Sequence, residues 1–154
     1  MKPLLNDPKL EALLCRLHQQ SDLQANGTNA AFERGEEELS IDHEDFYDTE
    51  LQRFLADKMV ALDRDKALFC YLLCRSLQAT RIVEAGTSFG VSTLYLAAAV
   101  SDNQVKNGVV IGTEYELKKV AITRDNFREA GLSQYIDLRE GDLRQTLQNI
   151  CGPI

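Results

Sequence analysis

The sequence lacks the features that tie a chain to a membrane or to nucleic acid. No apolar run approaches the roughly 20 residues of a membrane span, and the N-terminal MKPLLNDPKL contains no long apolar core of a secretory signal. The formal net charge is −7, whereas a nucleic-acid surface needs a basic stripe. We therefore expect no membrane and no nucleic acid among the partners of this chain.

The short motifs that mark zinc sites and hydrolases are also missing. The two histidines, His18 and His43, are far apart and form no H-E-x-x-H motif, and no G-x-S-x-G elbow is present. The four cysteines form no C-x-x-C motif. Cys70 and Cys74 lie one helical turn apart in an apolar segment, which predicts core thiols. We expect no metal-binding residues in this chain, and a reducing, cytoplasmic location.

The most informative stretch that is present is RIVEAGTSFGVSTLYLAAA, from Arg81 to Ala99. It predicts a short strand, a glycine-containing turn and the start of a helix. Thirty residues after Glu84, the apolar run GVVIGTE ends in a second acid, Glu114. In α/β proteins this order holds a ribose-bearing cofactor, because the turn and the helix N-terminus offer backbone N–H groups and the acid accepts from the ribose hydroxyls.

The glycine spacing narrows the choice of cofactor. A dinucleotide fingerprint reads G-x-G-x-x-G, but the position two after Gly86 is Ser88, so the glycine that admits a pyrophosphate is absent. The loop also lacks the Lys-Ser/Thr pair of a triphosphate-binding P-loop. A ligand without phosphates, such as S-adenosylmethionine, suits this loop better.

These residues resemble a known family. VEAGTSFGVSTLYLA (Val83–Ala97) resembles motif I of class I S-adenosylmethionine-dependent methyltransferases, and most of all that of the small-molecule O-methyltransferases of the catechol and caffeoyl-CoA type. Three further segments resemble parts of that family. Met59–Leu73 resembles its pre-motif segment, Ile111–Glu116 its ribose-binding segment and Leu138–Leu147 its adenine-side segment. The resemblance covers roughly residues 55–154.

The resemblance implies a role for each matching residue. Glu84 would approach the methionine amino group, Glu114 would accept from both ribose hydroxyls, and Asp142 would meet the adenine amino group. The full set of expected cofactor-binding residues is Val60, Glu84, Gly86, Thr87, Ser88, Gly90, Ser92, Glu114, Asp142 and Leu143.

Most of these positions also have a purely structural interpretation. The glycines can make a tight turn, Thr87, Ser88 and Asp142 can cap helices, and Val60 can be ordinary core. Ser92 can be an ordinary residue of a first helical turn. Glu84 and Glu114 can be acids at the end of a strand or in a loop.

The pattern from Arg81 onwards predicts an α/β, Rossmann-like fold. Strands are expected at Arg81–Glu84, Gly108–Gly112 and Ile136–Arg139, and helices at Val91–Val100, Leu117–Glu129 and Leu143–Ile150. A β-α-β-α-β run implies a parallel sheet in the order 3-2-1. Glu84, Glu114 and Asp142 then lie on one rim, at the carboxyl ends of the strands.

The N-terminal part is predicted to be helical and then irregular. A leucine stripe indicates a helix over residues 7–20, and the polar, acidic residues 21–45 predict a solvated irregular segment. Further helices are expected from Asp48 and over Asp65–Leu77, the latter with Phe69, Leu72, Leu73 and Leu77 facing inward. We therefore divide the chain into residues 1–47 and a cofactor-binding domain at 48–154.

The resemblance also implies that the domain is truncated, because the chain stops where the family's fourth strand would begin. Catalytic residues therefore cannot be named. The strand Arg81–Glu84 would be left as a sheet edge without a partner strand. We expect the chain to form a homodimer through that edge, to aggregate, or to cover the edge with its N-terminal helices.

The sequence thus predicts an S-adenosylmethionine-dependent methyltransferase that transfers a methyl group to an oxygen of a small molecule, with this chain carrying the cofactor-binding half. Two alternatives remain open: an NAD-dependent oxidoreductase, and a non-catalytic fragment that binds a nucleoside or a partner.

Overall fold

The fold is built on one three-stranded parallel sheet, seen in a computed structural model that describes residues 5, 7–39, 50–148 and 150. The strands are β1 (Arg81–Ala85), β2 (Val109–Glu114) and β3 (Ile136–Glu140). They lie in the order β1-β2-β3, with Arg81 opposite Val109 and Val110 opposite Ile136. The predicted α/β class and the parallel order 3-2-1 are confirmed.

Helices precede, connect and follow these strands. They are α1 (Pro8–Leu39), α2 (Glu50–Leu55), α3 (Arg64–Ser76), α4 (Val91–Asp102), α5 (Leu117–Glu129) and α6 (Leu143–Thr146). The bounds of α5 are those predicted, whereas α6 is shorter than predicted and ends at Thr146. No helix in the described part of the chain combines the length and apolar character needed to cross a bilayer.

Helix α4 forms the centre of the core. Its buried residues lie on every side of the helix, and they include Leu94, Ala97, Ala99 and Val100. A helix that is apolar all round is stable only when other elements cover it. α1 provides part of that cover, since the Nε2 atom of His18 lies 3.2 Å from the Tyr95 hydroxyl.

The prediction for residues 21–45 was wrong over residues 21–39, because α1 continues to Leu39. Residues 40–45 lie outside the described residues. The predicted leucine stripe at the start of α1 is confirmed, as Leu10, Leu13, Leu14 and Leu17 are buried. The later residues lack such a stripe, but most of them are good helix formers, and Ser21 and Gln24 hydrogen-bond to a neighbouring segment.

The predicted inward face of α3 was also wrong. Phe69, Leu72, Leu73 and Leu77 are exposed, and Ala67 and Tyr71 are buried instead. The Tyr71 hydroxyl donates to the Asp102 carboxylate of α4 at 2.6 Å, and small Ala67 suits close packing of the two helices. Cys70 and Cys74 are both half-buried, and of the two only Cys74 packs against the core.

Candidate functional site

The loop between β1 and α4 leaves open space above a glycine. Gly86 has φ +87° and Gly90 has φ +84°, both in the left-handed region that favours glycine. A Cβ added at Gly86 would meet none of the described residues within 4 Å, whereas a Cβ at Gly90 would overlap the Phe127 ring of α5. Gly86 therefore borders space that a ligand can fill, and Gly90 is needed for packing.

The helix that follows the loop is not capped by the loop's side chains. Gly90 is the N-cap residue of α4 and provides no side-chain cap. Thr87 is buried, and its backbone N–H donates to the Thr113 carbonyl at 2.8 Å, which ties the loop to β2. The interpretation of Thr87 and Ser88 as helix caps is therefore wrong.

Glu114, at the end of β2, is a buried and fixed carboxylate. It is 8% exposed. Its Oε2 accepts from the Ser88 backbone N–H at 2.6 Å, and its Oε1 accepts from the Glu116 backbone N–H at 2.8 Å. Each carboxylate oxygen can accept a second hydrogen bond, so the group keeps acceptor capacity for a ligand at the rim.

Glu84 is held below the loop by hydroxyl groups. Ser92 donates to Oε1 at 2.6 Å, Thr87 donates to Oε2 at 3.1 Å, and Thr93 also donates to Oε2. Burial raises the pKa of the Glu84 carboxyl, although the three hydroxyl donors oppose that rise. Glu84 therefore organises the loop and the first turn of α4, and its contact with a cofactor amino group stays a prediction.

A narrow cleft of about 30 Å³ lies between the loop and the segment Met59–Leu62, which we call the strap. Val60, in the strap, is 42% exposed, so it is not ordinary core. Ser88 has φ +50°, and its hydroxyl oxygen is buried without a hydrogen-bond partner among the described residues. An unpaired buried hydroxyl is costly, and a polar ligand in the cleft would relieve that cost.

A larger cavity, of about 710 Å³, is lined in part by the residues that directly follow Glu114 in the chain. Tyr115 and Gly141 line it, and the Gly141 N–H donates to the Glu114 carbonyl at 2.9 Å.

Asp142 is the N-cap of α6 and accepts from the Arg144 N–H at 2.8 Å, so its capping interpretation is confirmed. Hydrogen bonds from Arg144 also lower the pKa of Asp142. The adenine contact expected of Asp142 stays a prediction.

The structure thus places most of the predicted residues along one rim. The residues of the set that line the cleft are Val60, Gly86, Thr87, Ser88 and Ser92. Glu84 lies beneath these residues and Glu114 lies beside them. Asp142 and the half-exposed Leu143 follow β3, and neither lines the larger cavity. The described residues contain no group of three or more His, Cys, Asp or Glu that could hold a metal ion.

The loop is also supported by residues of β2 and α5 that were not predicted from the sequence. A Cβ at Gly112 would overlap the Thr87 hydroxyl, so Gly112 allows the loop to lie on the strand. The Thr123 hydroxyl donates to the Ser88 carbonyl, and the Asn126 amide donates to the Phe89 carbonyl at 3.0 Å. Gly112 had a readable signal, because a glycine inside a strand often marks close backbone approach.

Comparison with known proteins gives a consistent result. The family model described as O-methyltransferase matches residues 37–152. The catechol O-methyltransferase of Niastella koreensis is 33% identical over 98 residues, which is 61% of this chain and 42% of that protein. The catechol O-methyltransferase of Mycobacterium tuberculosis is 30% identical over 93 residues, which is 60% of this chain and 40% of that protein.

A solved structure shows the same fold. The O-methyltransferase TomG from Streptomyces achromogenes, in complex with SAM, is 25% identical with a TM-score of 0.57, over 66% of this chain and 44% of that chain. This chain therefore spans about two fifths of the length of the curated relatives that it matches.

Proposed function

The chain belongs to the O-methyltransferase family, and from this membership we propose that it binds S-adenosylmethionine for methyl transfer to an oxygen of a small molecule. We assign the binding to residues 48–154, within which the loop, the strap and the carboxyl ends of the strands lie. The solved relative TomG is in complex with SAM, which supports the choice of cofactor.

The geometry of Glu114 is the observation that carries this proposal. This buried carboxylate accepts from two N–H groups, of which Ser88 belongs to the lining of the cleft and Glu116 to the lining of the larger cavity. A ribose at Glu114 would direct one end of the ligand over β1, into the cleft, and the other end over β3, into the cavity. The order β1-β2-β3 therefore matches the order amino acid, ribose and adenine in S-adenosylmethionine.

The residues present fit this ligand. Open space above Gly86 and the unpaired Ser88 hydroxyl both lie on the side of the amino-acid end. When bound, the cofactor supplies an electrophilic methyl group with a neutral thioether as leaving group. The chain's own residues then have to bind and orient it, which is the main demand of such a transfer.

The whole activity, the acceptor and the catalytic groups are proposals that go beyond these residues. An oxygen acceptor must lose its proton to a base, and a bound metal can assist by lowering the pKa of the acceptor hydroxyl. We propose a small-molecule acceptor because the catechol O-methyltransferases are relatives of this chain. We keep a cytoplasmic location as a proposal, since Cys15, Cys70 and Cys74 are free thiols.

Calorimetry tests the proposal directly. We expect the chain to bind S-adenosylmethionine and S-adenosylhomocysteine but not NAD. Binding of NAD alone would favour the oxidoreductase alternative. A chain extended past Ile154 can be assayed for methyl transfer to catechols and related phenols. If it binds S-adenosylmethionine and S-adenosylhomocysteine but transfers no methyl group, a non-catalytic role is favoured.

The first mutational prediction concerns Glu114. Glu114→Ala should weaken S-adenosylhomocysteine binding by about tenfold or more, because hydrogen bonds to a charged group are lost. The matched control is Glu140→Ala on the same rim, since Glu140 is the register partner of Glu114 but is paired with Arg124 at 2.7 Å. Equal affinity of the folded Glu114→Ala variant and the wild type would remove Glu114 from the site.

We also propose that the chain forms a homodimer through the free edge of β1. Within the described residues, only β2 pairs with β1, and the residues at its middle, Ile82 and Val83, are apolar. Unpaired N–H and C=O groups on an apolar edge favour pairing with another chain.

A further inference from the structure

The strap is held in place by side chains of α1. The Ser21 hydroxyl donates to the Met59 carbonyl at 3.2 Å and accepts from the Ala61 N–H at 3.3 Å. The Gln24 side-chain oxygen accepts from the Met59 N–H at 2.9 Å. Two side chains one turn apart on α1 therefore satisfy three backbone groups of the strap.

The strap has open space on both sides, so these hydrogen bonds are well placed to determine its position. On the loop side lies the cleft, and on the α1 side lies a cavity of about 420 Å³ that His18 and Arg64 help to line. The Met59 side chain is buried, but Val60 and Leu62 remain 42% and 37% exposed. Packing therefore anchors one end of the strap more firmly than the rest.

The segment that leads into the strap has its own anchor. The ammonium group of buried Lys119 donates to the Leu55 carbonyl, at the end of α2, at 2.9 Å. The chain from Leu55 to Ala61 is thus tied to α5 at its start and to α1 at its end. Because the cleft is narrow, a small displacement of the strap changes the space available to a ligand.

We infer that Ser21 and Gln24 are positioning residues for the amino-acid end of the cofactor, because they hold the strap that forms one wall of the cleft. This inference rests on the proposed function. It assigns to α1 a part in ligand affinity, although no residue of α1 lines the cleft.

The test compares two ligands that share the nucleoside. S-adenosylhomocysteine carries the amino-acid end, and 5′-methylthioadenosine lacks it. Gln24→Met keeps the side-chain size but loses the acceptor, so it should weaken S-adenosylhomocysteine binding by about tenfold while 5′-methylthioadenosine stays within about twofold. Ser21→Ala should act in the same direction.

Conservative variants separate positioning from general damage. Gln24→Glu keeps the acceptor and Ser21→Thr keeps the hydroxyl, so both variants should retain most of the wild-type affinity for S-adenosylhomocysteine. Gln20→Met makes the same change at an exposed position of α1 and should bind both ligands as the wild type does. Hydrogen exchange of the Met59 and Ala61 amides should be faster in Gln24→Met and Ser21→Ala, respectively, than in Gln20→Met.

Two results would overturn the inference alone. One is wild-type affinity of Gln24→Met for S-adenosylhomocysteine, and the other is an equal loss of affinity for both ligands. If the wild type binds neither ligand, the proposed function itself fails and the inference fails with it.

Discussion

Two glycines of this chain share a backbone conformation and open surroundings but not a place in the site. Gly86 has φ +87° and Gly131 has φ +66°, and in the described part of the chain a Cβ at either position would meet nothing within 4 Å. Gly86 borders the cleft, whereas Gly131 follows α5 and lies outside it. The effect of backbone strain on stability can therefore be measured separately from the effect of a filled cleft on ligand binding.

Gly86→Val and Gly131→Val should each lose about 1–3 kcal/mol of unfolding free energy, because a β-branched residue is strained at positive φ. Only Gly86→Val should also lose S-adenosylhomocysteine binding, since its side chain would occupy the ligand's space. Chemical denaturation and calorimetry measure the two effects. Normal binding by a folded Gly86→Val variant would mean that the loop is only a turn.

The Glu84 carboxyl makes stability depend on pH. Its pKa in the folded chain is raised from the ordinary value of 4.5, mainly by burial. A group with a raised pKa contributes its full stability below its unfolded pKa and loses it as pH rises through the folded value. Ionisation of Glu84 therefore costs stability towards neutral pH.

Glu84→Gln removes this titration. We expect the wild type to lose stability relative to Glu84→Gln as pH rises from about 4.5 through the raised pKa, and the difference to level off above it. Urea unfolding of both proteins between acidic and neutral pH measures this difference. If the wild type instead gains stability relative to Glu84→Gln over the same pH range, the Ser92, Thr87 and Thr93 hydroxyls have a larger effect on the Glu84 pKa than burial has.

At the scale of elements, α3 and α4 differ in how their leucines are covered. Leu94 of α4 is 0% exposed in the core, and Leu72 of α3 is 54% exposed. The sequence pattern of α3 contains a clear apolar stripe, yet the helix packs through Ala67 and Tyr71 instead.

The same substitution at both positions tests this arrangement. Leu94→Ala should cost about 2–5 kcal/mol of unfolding free energy, because it leaves a cavity in the core. Leu72→Ala should cost less than about 1 kcal/mol, because most of its side chain is already in water. Denaturant unfolding at low protein concentration gives both values, and a comparable cost at Leu72 would mean that another surface covers α3.

At the scale of the whole molecule, the two edges of the described sheet differ in character. β3 carries Asp137, Arg139 and Glu140, and charged side chains discourage edge pairing. β1 carries fewer charged residues, Arg81 and Glu84, and has the adjacent apolar residues Ile82 and Val83 between them. The proposed homodimer therefore uses β1.

Light scattering and hydrogen exchange test this proposal together. We expect a dimer at micromolar concentration in which the β1 amides that face away from β2 exchange slowly. The outward amides of β3 serve as the internal control and should exchange quickly. A monodisperse monomer with fast outward β1 amides would contradict the proposed interface.

The sequence determined the features that depend on local pattern and order. These features are the strand–glycine loop–helix unit, the acid at Glu114, the parallel order of the strands and the bounds of α5. They follow from side-chain periodicity, glycine conformation and chain connectivity, which are local properties. The family resemblance was carried by the same contiguous motifs.

Only the tertiary structure decided which faces meet. The hydrogen bonds of α1 to the strap and the packing face of α3 depend on partners distant in the chain. Periodicity can reveal an apolar stripe, but it carries no information about which element covers that stripe. Polar positions such as Ser21 and Gln24 have no periodic signal at all, because their contribution arises from hydrogen bonds to backbone groups 35 to 40 residues away.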